Sequence, residues 1–378
     1  MGKYYLSNPF TVGKYISKEY FCDREQECEI IEKQIRNGRN IALISPRRMG
    51  KTGLIMHFFD NSTIHESFNT IYIDIFATTS FNEFVYLFGK SIFEQLKPEN
   101  NAWFEKFFKI ISSFRIGFKL DAISGEPTLD LGLGDIKAPQ TTLDEIFEYL
   151  EKSEKPCIVA IDEFQQIGSY PEKNLEALLR TKIQQCKKTQ FIFAGSRRHI
   201  MNNMFNSPAK PFYQSAISIG LDPILENIYC NFARGLFKKY GKELEEETFN
   251  RVYHMFDGCT WFVQMMMNEM FALCTNNETC KTDKIQTAWE NLIQIQSQAY
   301  EEILSNMAQK QKNLLQAIAK ESTVKNPTSS GFIQRHNLIS ASSVQSSLRA
   351  LVKNDIVVKT EHGYRIYDYF FAEWMKRY

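Results

Sequence analysis

The pattern of apolar and polar positions changes character twice along the 378 residues. As far as about residue 222, short apolar runs alternate with amphipathic stretches. "IALI" (41–44), "TIYIDIFA" (70–77), "PCIVAIDEF" (156–164) and "QFIFAGS" (190–196) read as buried strands. "KTGLIMHFFD" (51–60), "FNEFVYLFGKSIFEQL" (81–96), "TLDEIFEYLEKS" (142–153) and "LEALLRTKIQQCKK" (175–188) carry helical periodicity between them. An earlier helix is predicted from Cys28, Ile30, Ile31 and Ile35, with Asn37-Gly38 as its stop, and Thr142 with Glu145 reads as a capping box. Residues 114–133 alternate around Ser-Gly-Glu-Pro and predict a β-hairpin insertion.

Strands and helices alternating in this way predict an α/β fold, a mostly parallel sheet covered on both faces. Beyond Pro223 the strand signals nearly vanish, and residues 224–305 read as helices. The last stretch, 309–378, gives three helices and then "DIVVKT" and "GYRIYD" around Glu361-His362-Gly363, the order of a winged helix-turn-helix. The predicted division is therefore a core over 1–222, a helical lid over 223–305 and a winged helix over 306–378. In the helix over 340–354 the predicted buried stripe is Val344, Leu348, Leu351 and Val352.

The candidate chemistry lies where these strands end. After the first strand the chain reads Ser45, Pro46, Arg47, Arg48, Met49, Gly50, Lys51, Thr52, a G-x-x-x-x-G-K-[ST] phosphate loop with Ser45 at its first glycine. Gly50 lets backbone approach a phosphate, Lys51 brings a cation to the β/γ oxygens, and Thr52 offers a hydroxyl to Mg²⁺ in a helix's first turn. The first glycine only starts the turn, which Ser45-Pro46 can also do. Independently, the strand "CIVAIDEF" delivers Asp162 and Glu163 to the carboxyl edge of the sheet, where open α/β sheets bind ligands. One acid can hold Mg²⁺, usually through water, and the other can activate the attacking water. A third strand ends at Ser196, a candidate γ-phosphate contact or an ordinary turn residue.

These motifs resemble the archaeal-type ATPase family, a branch of the signal-transduction P-loop ATPases related to AAA+ proteins. The resemblance covers nearly the whole chain: "YFCDREQE" (family form F-x-x-R-x-x-E), "PRRMGKT", "YIDI", "IDEFQ", "FAGS", a helical lid and a terminal winged helix. It implies that the backbone near Phe21, Arg24 and Glu27 lies close to adenine. It also implies that Lys51, Thr52, Asp162 and Glu163 serve Mg²⁺ and ATP as described, with Ser196 at the sensor position. Two features depart from the family. Its L-Y-G-R after the sensor strand is replaced by Phe212-Tyr213-Gln214-Ser215, without the arginine, and its lid G-x-P by Gly258-Cys259-Thr260-Trp261. Trp261 is expected in the core, with packing near the nucleotide as the alternative.

Composition narrows the function classes. A net charge of +1 makes no global case for nucleic acid or membrane, yet residues 309–378 hold 11 Lys/Arg against 5 Asp/Glu, so DNA is a candidate partner there. No apolar run reaches the roughly 18 residues of a membrane span, and the N-terminus lacks a signal-peptide stretch. The eight cysteines contain no C-x-x-C pair, which points to reduced thiols in a cytoplasmic chain rather than to zinc or disulfides. With no effector domain evident, a protein effector is expected. Three functions stay open: an ATP-hydrolysing switch, a DNA-binding regulator working through the winged helix, and a nucleotide-binding scaffold without turnover.

Overall fold

The computed structural model describes residues 7–96, 117–120, 127–130 and 138–377, with 117–120 and 127–130 described by their backbone alone. The first elements are α1 (Glu25–Arg36), β1 (Ile41–Ile44), α2 (Lys51–Phe59), α3 (Ser62–Ser67), β2 (Asn69–Asp74) and α4 (Phe81–Leu96). The hairpin strands β3 (Gly117–Leu120) and β4 (Pro127–Asp130) pair antiparallel within the predicted insertion. Then come α5 (Pro139–Glu151), β5 (Cys157–Asp162), a 3-10 helix (Phe164–Ser169), α6 (Leu175–Gln185), β6 (Thr189–Gly195), α7 (Arg198–Asn206) and β7 (Ile217–Ile219).

Five of these strands form one sheet in the order β2-β5-β6-β1-β7, and every pairing is parallel. Alternate residues of each strand explain why both faces are covered. Ile41, Leu43, Ile158, Ala160, Ile192 and Ala194 pack with Ile31, Ile35, Leu54, Ile55 and Phe58 from α1 and α2. Their neighbours Ala42, Ile44, Val159, Ile161, Phe191 and Phe193 join a second cluster with Phe84, Phe88, Ile146, Phe147 and Phe205. Each fully buried Phe or Ile contributes about 1.5–3 kcal/mol, so a continuous apolar run is the sequence signature of a strand with two buried faces.

The remaining elements are mostly helical: α8 (Glu226–Lys239), α9 (Glu246–Met255), α10 (Thr260–Leu273), α11 (Asp283–Ser305), α12 (Gln309–Glu321), α13 (Ser330–Arg335), α14 (Ala341–Lys353) and α15 (Tyr369–Arg377). Strands β8 (Glu243–Leu244) and β9 (Thr279–Cys280) make one short pair, and β10 (Val357–Thr360) and β11 (Gly363–Ile366) another. Two compact units result. One comprises Gly13–Tyr229 with Cys259–Trp261, and the other holds the described residues up to Val12 with Cys230–Gly258 and Phe262–Tyr378.

In the second unit Phe10 is buried between Phe237 and Phe271, at 5.4 and 5.9 Å, and Asn8 Nδ2 donates to Asn268 O while Asn268 Nδ2 donates to Phe10 O. Its α15 sets Phe370 against Phe256, Phe262 and Trp289. Val324, between α12 and α13, exchanges hydrogen bonds with Tyr364 and adds a third edge to the wing. That approach needs Gly363: its φ is +134°, and a Cβ there would lie 2.6 Å from Val324 O.

Several local expectations are corrected. The helix expected over 142–153 begins at Pro139, and buried Thr142 donates its hydroxyl to Ala138 O instead of forming a capping box with Glu145. Proline's fixed φ starts the helix one turn earlier. Strand β2 ends at Asp74, whose Oδ1 accepts the Phe76 N–H and turns the chain before Ala77. Ile30 is 44% exposed, off the buried Ile31/Ile35 stripe. In α14, Ser347 rather than Val352 completes the buried face with Val344, Leu348 and Leu351. The terminal helix α15 was not expected, because its aromatic-rich "YFFAEWMKR" follows directly on a strand.

Candidate nucleotide site

The loop between β1 and α2 is built for backbone approach. Arg48 and Gly50 both take left-handed φ, 64° and 92°, and such residues turn successive N–H groups toward one concavity. A Cβ on Gly50 would meet nothing within 4 Å, so the space above it is open. Lys51 opens α2 and is only 6% exposed; its Nζ donates to Ser45 O at 3.0 Å and Pro46 O at 2.9 Å. Burial pushes the Lys51 ammonium below the ordinary lysine value, while the charges of Glu163 and Asp162 pull it back up. Ser45 is buried, and its N–H donates to Gly195 O at 3.4 Å on β6. A serine at the motif's first position is thereby tied into the sheet.

Parallel pairing carries the acids to the same edge. Thr52 Oγ1 donates to Asp162 Oδ2 at 2.6 Å, joining the first turn of α2 to the end of β5. The phenol of Tyr72, on β2, donates to that same oxygen at 2.9 Å, and Asp162 Oδ1 accepts the Glu163 N–H at 2.9 Å. Asp74 stands opposite Asp162 in the ladder, and its carboxyl is pushed up by lost hydration and by the negative charges of Asp162 and Glu163. Ser196 Oγ donates to Glu163 Oε2 at 2.8 Å across from the end of β6. Lys51, Thr52, Asp162, Glu163 and Ser196, widely separated in sequence, thus meet at one sheet edge.

The other candidates surround this cluster unequally. Phe21 lies over the first turn of α2, where a Cβ on Gly53 would come within 3.1 Å of its ring, and it stacks on His57 at 4.4 Å. The buried Arg24 guanidinium is committed to Glu27 at 2.6 Å and Asp222 O at 2.8 Å. Arg47 reaches toward exposed Phe76 beyond β2, 5.9 Å from its ring centre. Trp261 corrects the core expectation. It is half-buried, its backbone N–H donates to Arg48 O at 3.1 Å, and the Arg48 guanidinium lies 4.0 Å from its ring centre. Sequence reasoning also missed Tyr72 and Gln165, although each lies two residues from an acid at the site, Asp74 and Glu163.

The residues present fit Mg²⁺ and a nucleotide triphosphate. Among the described residues no three His, Cys, Asp or Glu side chains converge to hold a metal by themselves. Thr52 and Asp162 offer a hydroxyl and a carboxylate, hard oxygens that suit Mg²⁺ completed by water and phosphate. The buried cation beside an open, glycine-containing loop matches the charge of a phosphate chain.

Residues 21–266 match the family described as an ATPase domain predominantly from Archaea. The chain belongs to this family. Residues 298–377 match a probable winged helix domain, which makes the archaeal-type ATPase core and winged helix one chain. Among solved structures the chain resembles the Walker-type ATPase PABY2304 of Pyrococcus abyssi, at 19% identity and a TM-score of 0.63, covering 97% of this chain and 99% of that one. It also resembles the Aeropyrum pernix ORC2 protein in its ADPNP-ADP complexes, at 13% identity and a TM-score of 0.59, over 98% and 95% of the two chains. The Aeropyrum pernix ORC1 protein in complex with DNA follows at 11% identity and a TM-score of 0.53, over 94% and 92%. At such identities the likeness establishes the fold: an archaeal-type P-loop ATPase with a winged helix. No curated protein matches the chain. Among the described residues no helix is long and apolar enough to cross a membrane.

Proposed function

We propose that this archaeal-type ATPase is a Mg²⁺-dependent, slowly hydrolysing ATP switch. The observation that carries the reading is the junction of Thr52 with Asp162 at 2.6 Å, directly after Lys51 and the open loop position Gly50. Thr52 and Asp162 would hold Mg²⁺, which when bound neutralises charge on the β/γ phosphates. Residues Ser45 to Gly50 cradle the phosphates, Lys51 binds the β/γ oxygens, and Phe21 and Arg24 shape the adenine end. Glu163 takes the proton of the attacking water, and Ser196 reads the γ-phosphate.

The three-part division into core (1–222), lid (223–305) and winged helix (306–378) describes the working parts, with nucleotide state controlling the position of the last two. Arg48 supports that coupling, because its carbonyl and guanidinium engage Trp261 at the start of α10. A ligand shifts such an equilibrium only through contacts that differ between its two states, and an arginine of the phosphate loop offers one. The chain works in the cytoplasm and passes its state to a protein effector, without a membrane partner. Purified protein is expected to release phosphate from ATP at a slow, steady rate with Mg²⁺, and to stop when EDTA is added. Nucleotide binding with no phosphate release under any Mg²⁺ concentration would make it a scaffold.

A second reading, DNA regulation, is favoured by the exposed face of α14, where Ser342, Gln345, Ser346, Arg349 and Lys353 meet solvent. Two cations give little counterion release, so binding to a duplex should be weak and should fade between about 50 and 200 mM salt. Fluorescence anisotropy on labelled duplexes checks this. Sequence-selective binding that survives physiological salt and is lost in Arg349→Ala would put the DNA reading first.

A further inference from the structure

Glu163 is held at the sheet edge by the last residue of the "IDEFQ" run, a position to which the motif's phosphate chemistry gives no role. Gln165, in the 3-10 helix that follows, donates its Nε2 to Glu163 Oε2, the oxygen that also accepts from Ser196. Gln165 is 5% exposed, and its own Oε1 has no hydrogen-bond partner. A buried amide oxygen left unpaired is costly to the fold, more so than an apolar side chain of the same size.

The surroundings make room for this amide. A Cβ at Gly195, the last residue of β6, would lie 2.4 Å from Gln165 Oε1 and 2.5 Å from Met201 Sδ. The strand therefore lacks a side chain where the amide sits, one residue before Ser196. Glu163 itself has φ 55° and ψ 38°, a left-handed conformation that a non-glycine residue seldom adopts. An unpaired oxygen, an omitted Cβ and a left-handed backbone all serve the placement of one carboxylate, and local strain of this kind gathers at functional sites.

We propose that Gln165 is a positioning residue for Glu163. Its amide retains Oε2 when the Ser196 hydroxyl turns to the γ-phosphate, which leaves Oε1 directed at the attacking water. The proposal rests on Glu163 being the base. A fixed carboxylate matters because a displacement of about 1 Å in a reacting group can cost around 100-fold in rate.

The test compares the parent with Gln165→Leu, Gln165→Met and Glu163→Gln, measuring kcat, KM for Mg-ATP and melting temperature on the full chain. Both Gln165 variants should melt at or above the parent temperature, because the unpaired buried oxygen is gone. Their KM should stay at the parent value while kcat falls roughly 10- to 100-fold. Parent-level kcat in both, with Glu163→Gln inactive, would overturn the positioning role while leaving the base in place. A loss of rate accompanied by a lowered melting temperature in both would make Gln165 a packing residue and would equally overturn it. Equal hydrolysis by the parent and Glu163→Gln would remove the base and this proposal together.

Discussion

Lys51→Ala should abolish tight ATP binding while the protein stays folded. The ammonium is the cation that the loop brings to the β/γ phosphates, and it is already stripped of most of its water, being 6% exposed. Removing one partner of a buried, hydrogen-bonded charge pair costs about 2–5 kcal/mol, which is roughly a 30- to several-thousand-fold weakening. The carbonyls of Ser45 and Pro46 lose their donor as well, so a modest loss of thermal stability should accompany the change. Calorimetric titration with Mg-ATP and with a non-hydrolysable analogue measures the effect directly. Undiminished affinity would mean that the phosphates do not lie against this loop.

Glu163→Gln should separate binding from turnover. The amide keeps the size and the hydrogen-bonding reach of the carboxylate, so Ser196 and Gln165 still have an oxygen to engage. It cannot take a proton, and a positioned general base contributes about 100- to 10,000-fold to such a reaction. ATP should therefore bind with parental affinity, and single-turnover phosphate release should fall by that order. The pair of variants distinguishes the two halves of the site. Lys51→Ala acts on the loop after β1, and Glu163→Gln acts on the edge after β5.

The strands were legible because a sheet with both faces covered writes itself as continuous apolar residues, as in "IALI" and "CIVAID". The loop was legible for a different reason: Gly50, Lys51 and Thr52 are close in sequence, and phosphate chemistry restricts which residues can serve there. Helix ends were harder to read. Both Pro139 and Thr142 are plausible starts on local grounds, and the helix starts at the proline, which leaves Thr142 buried inside its first turns. The aromatic run of α15 offered no distinctive period, and its partners Phe256, Phe262 and Trp289 lie 81 to 114 positions earlier in the chain as counted from Phe370.

By itself the sequence determined the α/β architecture, the winged-helix order and the residues of the loop, since each depends on local periodicity or on a short motif. Only the tertiary structure decided which distant side chains share an atom. Thr52 and Tyr72 meet on one oxygen of Asp162, Ser196 and Gln165 on one oxygen of Glu163, and Trp261 lies against Arg48 rather than in the core. Strand order sets those meetings. With β5 and β6 adjacent and β1 beside β6, three separate chain segments end at the same edge, and nothing within any one segment encodes which neighbour it will find there.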